Sequence, residues 1–271
     1  MMKKHLLILT FAAALFGSCS DNTEPQEPIK PKPEPPIEKT TFKANVLKQE
    51  WDNIDFEIVP SNDKASYYFA LRPTIECLQL TDKQLLESIL AHDAATIDTH
   101  TKQGTTTIQR VAGQPATMNY HPNTSYTLLV FGYDATTHKP TTEPARFTMR
   151  TAQPDGDPAA CTFKVTFSEV TANGVKVDLI PSNPKLLYTW DLMHLTSYEA
   201  YKNVMKLYVE TLVEESTPEE IYHMATFGEV HQVFPNVLTP QTSYVLWAVC
   251  IDEKGAPTAE VYVSEPFTSG K

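Results

Sequence analysis

Two stretches decide the fold: Leu238-Thr239-Pro240-Gln241-Thr242-Ser243-Tyr244 and Tyr120-His121-Pro122-Asn123-Thr124-Ser125-Tyr126. In each, a bulky residue is followed by a proline and then by Thr-Ser-Tyr at the same spacing, and the chain runs on into a long apolar segment. Outward from these words the match continues. Residues 42–72 lie over 163–193 without a gap, pairing Phe42-Lys43 with Phe163-Lys164, Ile54 with Val175, Phe56 with Val177, and Pro60-Ser61-Asn62 with Pro181-Ser182-Asn183. Tyr67, Phe69 and Leu71 meet Tyr188, Trp190 and Leu192, and Phe147-Thr148 meets Phe267-Thr268. One unit has been duplicated, and a period above about 100 residues is that of a whole domain rather than of a solenoid repeat.

Each copy reads mainly as strands. Val175, Val177 and Leu179 alternate with Lys176 and Asp178, the period-two pattern of a half-buried strand. The segment 244–251 is continuously apolar and fits a strand covered on both faces. Turn signals lie between, at Ala172-Asn173-Gly174, at both Pro-Ser-Asn words and at Asp252-Glu253-Lys254-Gly255. Both copies also carry helical sequence. Thr81 with Gln84 forms a capping box before the stripe Leu85, Leu86, Ile89 and Leu90, and Thr196 with Glu199 is expected to cap a longer helix bearing Tyr198, Tyr201, Met205, Tyr208 and Leu212. Thr217-Pro218-Glu219-Glu220 opens a shorter one.

The Leu/Tyr-x-Pro-x-Thr-Ser-Tyr words resemble the segment before strand F of fibronectin type III domains. The resemblance implies an all-β chain with helical insertions: two immunoglobulin-like β-sandwiches in tandem, residues 41–151 and 160–271, each with its helical insert between strands C and E. It also implies that Tyr126 and Tyr244 form tyrosine corners, the hydroxyl bonding back to the backbone. The family's core tryptophan of strand B is replaced by Ile58 and Leu179. In this arrangement Cys161 begins strand A and Cys250 ends strand F at one end of the second sandwich. Oxidation could join them, although they stand on opposite sheets. Cys77 has no partner in its own copy and reads as a small buried apolar residue.

At the N-terminus, Lys3-Lys4 precedes an apolar run from Leu6 to Phe16, too short to span a bilayer and of signal-peptide form. Phe16-Gly17-Ser18-Cys19 resembles the bacterial lipobox, with phenylalanine where leucine is usual. The resemblance makes residues 1–18 a signal peptide and Cys19 the lipidated first residue of the mature chain. Asp21 and Glu24 look like the signal that sends some Gram-negative lipoproteins to the outer face of the outer membrane. The rest of residues 19–40 holds six prolines among Glu and Lys, an extended spacer reaching on the order of 60 Å. Residues 152–160, with Pro154, Gly156 and Pro158, link the copies; Asp155 and Asp157 are too few ligands for calcium, and a solvated hinge is expected.

With 22 Lys+Arg against 33 Asp+Glu, the formal net charge of −11 excludes nucleic acid and electrostatic docking on anionic lipid. No nucleophile elbow, zinc-protease helix or phosphate-cradling loop occurs, and Glu220-Ile221-Tyr222-His223 stands alone where a di-iron bundle would need a second copy. No catalytic residue, metal site or cofactor is expected. The expected function is a membrane-anchored, surface-exposed binding or adhesion module for a protein or glycan ligand, with Tyr198, Tyr201, Tyr208 and Tyr222 as its recognition surface. The alternatives are an envelope hydrolase with its site in the helical insert and a purely structural spacer.

Overall fold

The computed structural model describes residues 40–111 and 119–271. The signal peptide, Cys19 and the Pro-rich spacer lie outside the described residues. The described chain is mostly β-sheet and belongs to one compact unit. Its N-terminal half runs β1 (Phe42–Glu50), β2 (Asn53–Pro60), β3 (Ser66–Pro73), α1 (Thr74–Cys77), α2 (Asp82–His92), α3 (Ile97–His100), β4 (Lys102–Gln103), β5 (Thr106–Ile108), β6 (Ser125–Asp134), β7 (Lys139–Pro140) and β8 (Ala145–Arg150). A 3-10 turn at Pro158–Ala160 leads to β9 (Phe163–Ser168), β10 (Val175–Pro181), β11 (Tyr188–His194), α4 (Leu195–Tyr201), α5 (Met205–Glu215), α6 (Pro218–Met224), β12 (Val230–Phe234), β13 (Ser243–Cys250), β14 (Tyr262–Val263) and β15 (Phe267–Thr268).

Each half holds two antiparallel sheets. The order is β1-β2-β5 with β4-β3-β6-β7 in the first, and β12-β10-β9 with β11-β13-β14 in the second, while β8 pairs with β6 and β15 with β13. Alternation decides which side chains go inward. Ile54, Phe56 and Ile58 of β2 meet Tyr67, Tyr126, Leu128 and Val130 of the other sheet in one core. In the second half Val175, Val177 and Leu179 of β10 meet Tyr188, Tyr244 and Leu246 in the same way. The long apolar run of β6 is explained by its second face, where Leu129, Phe131 and Tyr133 pack under Leu85, Ile89 and Ile97 of the helices.

The two halves fix their backbones with the same bonds. Tyr67 donates its hydroxyl to the Gly104 carbonyl at 3.0 Å, and Tyr188 donates to the Gly228 carbonyl at 2.9 Å. Both glycines have positive φ, +65° and +80°, which a side chain would strain. The Ser61 and Ser182 hydroxyls accept from the Thr41 and Thr162 amides at 2.9 and 3.0 Å. Tyr126 and Tyr244 complete the set, though their hydroxyls accept rather than donate, from the His121 amide at 2.6 Å and the Thr239 amide at 2.8 Å. The hydroxyls bond back to the backbone as expected, and removing either one orphans an N–H donor.

Helix ends follow local chemistry where that chemistry is free to act. Thr81 and Gln84 cap α2 reciprocally, and Thr217 and Glu220 do the same for α6 with Pro218 in its first turn. The expected capping box at Thr196 is absent. Helix α4 springs directly from the end of β11 with His194 in the cap position, so Thr196 is already inside the first turn. The single long helix expected there is two helices. Val204 leaves helical geometry at φ −137°, its amide closing a tight turn on the Tyr201 carbonyl at 2.8 Å. Asn203 and β-branched Val204 are weak helix formers, and they stand at the break.

Candidate functional site

The side chains that gather different parts of the chain most closely lie where the two halves meet. Helix α6 starts at its Thr217 cap, buries Ile221 and turns Tyr222 toward the N-terminal half. There the Tyr222 ring stacks on His121 with centroids 4.1 Å apart and planes 15° from parallel. Tyr222 Oη donates to the Asn119 carbonyl at 3.3 Å, which commits its proton; the Tyr126 hydroxyl, 3.3 Å away, then donates to Tyr222 while accepting from the His121 amide. Phe227 adds edge contacts to His121 at 5.7 Å and to Trp51 at 6.0 Å, and the Lys185 ammonium sits 5.8 Å above the Trp51 ring.

A second contact flanks the first. Arg150, at the end of β8, reaches the Asn123 carbonyl at 2.7 Å, the Ser125 hydroxyl at 2.8 Å and Glu253 Oε1 at 2.7 Å. Glu253 Oε2 accepts from the Ser125 amide at 2.7 Å, so a carboxylate of the C-terminal half closes the turn that opens β6. The connecting residues are pinned as well. Asn183 donates to the Asp155 carbonyl at 2.8 Å, and the Asp157 carboxylate accepts from the Ala159 amide at 2.9 Å. The segment is solvent-exposed over most of its length, as expected of a hinge, and Asn183 ties it to the second half.

Burial sets the electrostatics. His121 is 7% exposed, and burial followed by the nearby His223 pushes its imidazole down to about 4, so it is neutral near pH 7. Burial drives the Tyr120 hydroxyl up to about 12 and that of Tyr126 higher still. Glu76 is raised, first by burial and then by Glu219 of α6. For Glu253 burial pushes upward, but the Arg150 guanidinium and the Ser125 amide outweigh it and hold the carboxyl below its usual range. The Tyr126 and Tyr222 hydroxyls are committed to the backbone and to each other, and the imidazole is covered. The arrangement holds halves together.

The structure divides the four tyrosines expected to share a recognition surface. Tyr198 and Tyr208 pack on the C-terminal core, Tyr208 edge-on to Trp247 at 6.4 Å. Tyr222 is spent on the junction. Tyr201 remains exposed, at 44%, with Val204 at 46% and Leu207 at 59% beside it where α4 gives way to α5. One face of four tyrosines is thus corrected to one tyrosine and two aliphatic residues, because a stripe at helical spacing is drawn into the core it covers.

The other candidates do not assemble into chemistry. Glu220 is held by its own Thr217 cap, His223 reaches only Glu219 at 3.8 Å, and the two line a shallow open depression with Ser216, Glu219 and Met224. Among the described residues no three His, Cys, Asp or Glu side chains are placed to share a metal ion. Cys161, Cys250 and Cys77 are free thiols. No helix among the described residues is long and apolar enough to cross a membrane. His121, Arg150 and Glu253 are the residues that sequence reasoning missed. The available signal for His121 was its own repeat, since Thr239 stands at the matching place.

No protein-family model matches the chain, and no curated protein matches it. Among solved structures, the central fibronectin-III array of RIM-binding protein aligns over 84% of this chain and 67% of its own, with 9% identity and a TM-score of 0.25. A β-glucuronidase from Parabacteroides merdae aligns over 86% of this chain but 24% of its own, with 9% identity and a TM-score of 0.20. Likenesses this weak carry no argument about what the chain does.

Proposed function

We propose that the chain is a non-catalytic binding module: two fibronectin type III-like sandwiches in tandem, each with a helical insert, tethered through a lipidated Cys19 to the outer membrane and facing outward. The tether rests on Phe16-Gly17-Ser18-Cys19 and the acidic residues behind it, and the paired sandwiches on the duplicated sequence together with the repeated bonds of Tyr67 and Tyr188. The observation that carries recognition is the exposed apolar cluster of Tyr201, Val204 and Leu207, left outside where α4 breaks into α5. Two aliphatic side chains and a single ring suit a protein ligand better than a sugar, which is held by flat aromatic faces in a row.

The test places a photo-crosslinking residue at position 207 in the full chain on living cells, with position 139, remote in the N-terminal half, as the control. A discrete protein adduct from 207 alone, lost on Val204→Asp, supports the reading. Adducts equal at both positions, or glycan-array binding that Val204→Asp leaves unchanged, overturn it. The junction favours a second reading as a spacer, because a bonded connection holds two halves at a fixed setting; for that role Leu207→Asp would be silent in cells while Tyr222→Ala would not.

A further inference from the structure

Cys161 and Cys250 take no part in the junction: Cys250 is buried in the C-terminal core and Cys161 packs against that core from its rim. Cys161 lies between the 3-10 turn and β9, half-buried; Cys250 is the last residue of β13 and 1% exposed. They belong to segments on opposite sheets, yet both enter one core: the Phe163 ring, two residues beyond Cys161, lies 5.3 Å from the ring of Tyr188, the cross-strand partner of Cys250. The placement follows from the register. Pro181 pairs with Phe163, which brings Ser182 against Cys161, with Ser182 Oγ 3.7 Å from Cys161 Sγ and accepting from the Thr162 amide at 3.0 Å. Tyr188 pairs with Cys250, and the Ile251 amide bonds to the Leu187 carbonyl at 3.0 Å. Tyr188 itself lies within electrostatic reach of both sulfurs, so three strands converge on one pair of thiols.

We propose that Cys161 and Cys250 are a dithiol–disulfide site, closed by a small or protein-borne disulfide oxidant. The half-buried Cys161 is the attacking group. The hydrogen bond from Cys250 pulls it down to about 6 against burial, helped by the Ser182 hydroxyl and the Ser182 and Asn183 amides, whereas Cys250 is pushed up as the donor. The Cys161 thiolate attacks one sulfur of the oxidant, forming a mixed disulfide and releasing one thiolate. Cys250 then gives up its proton to solvent and attacks Cys161 Sγ, expelling the second thiolate. Two protein thiols become one disulfide, and one external disulfide becomes two thiols. Closure ties the segment after the linker to the strand end from which Ile251 leads to Glu253, and so braces the residue that Arg150 holds.

Full chain carrying Cys19→Ser, so that only internal thiols compete, is reduced, exposed to glutathione disulfide and mapped by mass spectrometry without reduction. The expected result is a peptide joining Cys161 to Cys250, two hydrogens lost, and a thermal midpoint roughly 5–10 °C above the reduced form, as for a bond closing a long loop. Dithiothreitol should reverse the rise. Cys161→Ser, at a partly exposed position that tolerates the change, should abolish it and leave the Cys250 thiol intact. A stable glutathione adduct on Cys161 with Cys250 still open to alkylation after unfolding overturns the proposal, as does an oxidised form with an unchanged midpoint.

Discussion

The two halves share their internal scaffold and differ at their corners. Tyr126 and Tyr244 occupy matching places and accept from matching amides, but Tyr126 lies beneath Tyr120, His121 and the visiting Tyr222, while Tyr244 contacts His194 and Phe267 of its own half. The first corner is finished by the second half; the second corner is finished locally. A duplicated unit can thus keep the tyrosine and serine bonds that fix its backbone and still become dependent on its copy, because a few side chains outside the shared core, His121 against Thr239 above all, decide what each end can accept.

The widest separation between the halves should appear on cutting them apart. Residues 41–151 alone lose the cover of Tyr222 and Phe227 and are expected to be destabilised by about 3–5 kcal/mol, from the aromatic area exposed. Residues 160–271 give up the same contacts from their side but keep their own corner bond and its cover, and should lose less. Denaturant unfolding of the two fragments against the intact chain checks this, and equal losses in both would break the asymmetry.

Acid should weaken the N-terminal half through His121. His121 has a folded pKa of about 4 against an ordinary value of about 6.5, so the unfolded state takes up the proton first. Its contribution is fully present above pH 6.5 and is lost as pH falls from 6.5 through 4, amounting to about 3 kcal/mol. His121→Thr, which copies Thr239, should flatten that dependence in the N-terminal half. A steep acid limb that survives the substitution would assign it elsewhere.

At the corners themselves, Tyr126→Phe should cost about 2 kcal/mol and Tyr244→Phe about 1, since each orphans an amide but the His121 amide is the more deeply buried. Urea midpoints of the two variants give the ordering, and a reversed order would mean that cover by Tyr222 does not matter. The smallest effect is expected from Glu253→Gln, about 0.5–1 kcal/mol and weaker in high salt, because the Arg150 side chain is 41% exposed. The loss should be confined to coupling between the halves, read as a broadened or split thermal transition.

What was legible in the sequence was whatever a short window could contain. The caps at Thr81 and Thr217, the alternation of β10 and the doubly covered run of β13 each follow from neighbours a few residues away. Tyr222 shows the limit. At helical spacing it belongs to an apolar stripe, and nothing local distinguishes a ring that faces solvent from one that seats on His121 far back in the chain. The cap expected at Thr196 failed for a related reason: the strand ahead of it ends in register with β13 at His194, and tertiary pairing overrode the local signal. No short window contains the approach of Cys161 to Cys250 either; only the fold resemblance put both at one end of the second sandwich, because the approach depends on how two sheets converge there.

The bonded linker has a mechanical consequence. Load applied between residues 40 and 271 must first pull Tyr222 off His121 and Glu253 off Arg150 before the connecting segment can straighten, whereas the ladders within each sheet are engaged later. Together with the Asn183–Asp155 bond, those two contacts are expected to act as a fuse that opens before the ladders, lengthens the chain by the slack of the connecting segment and lets both cores close again when tension is released.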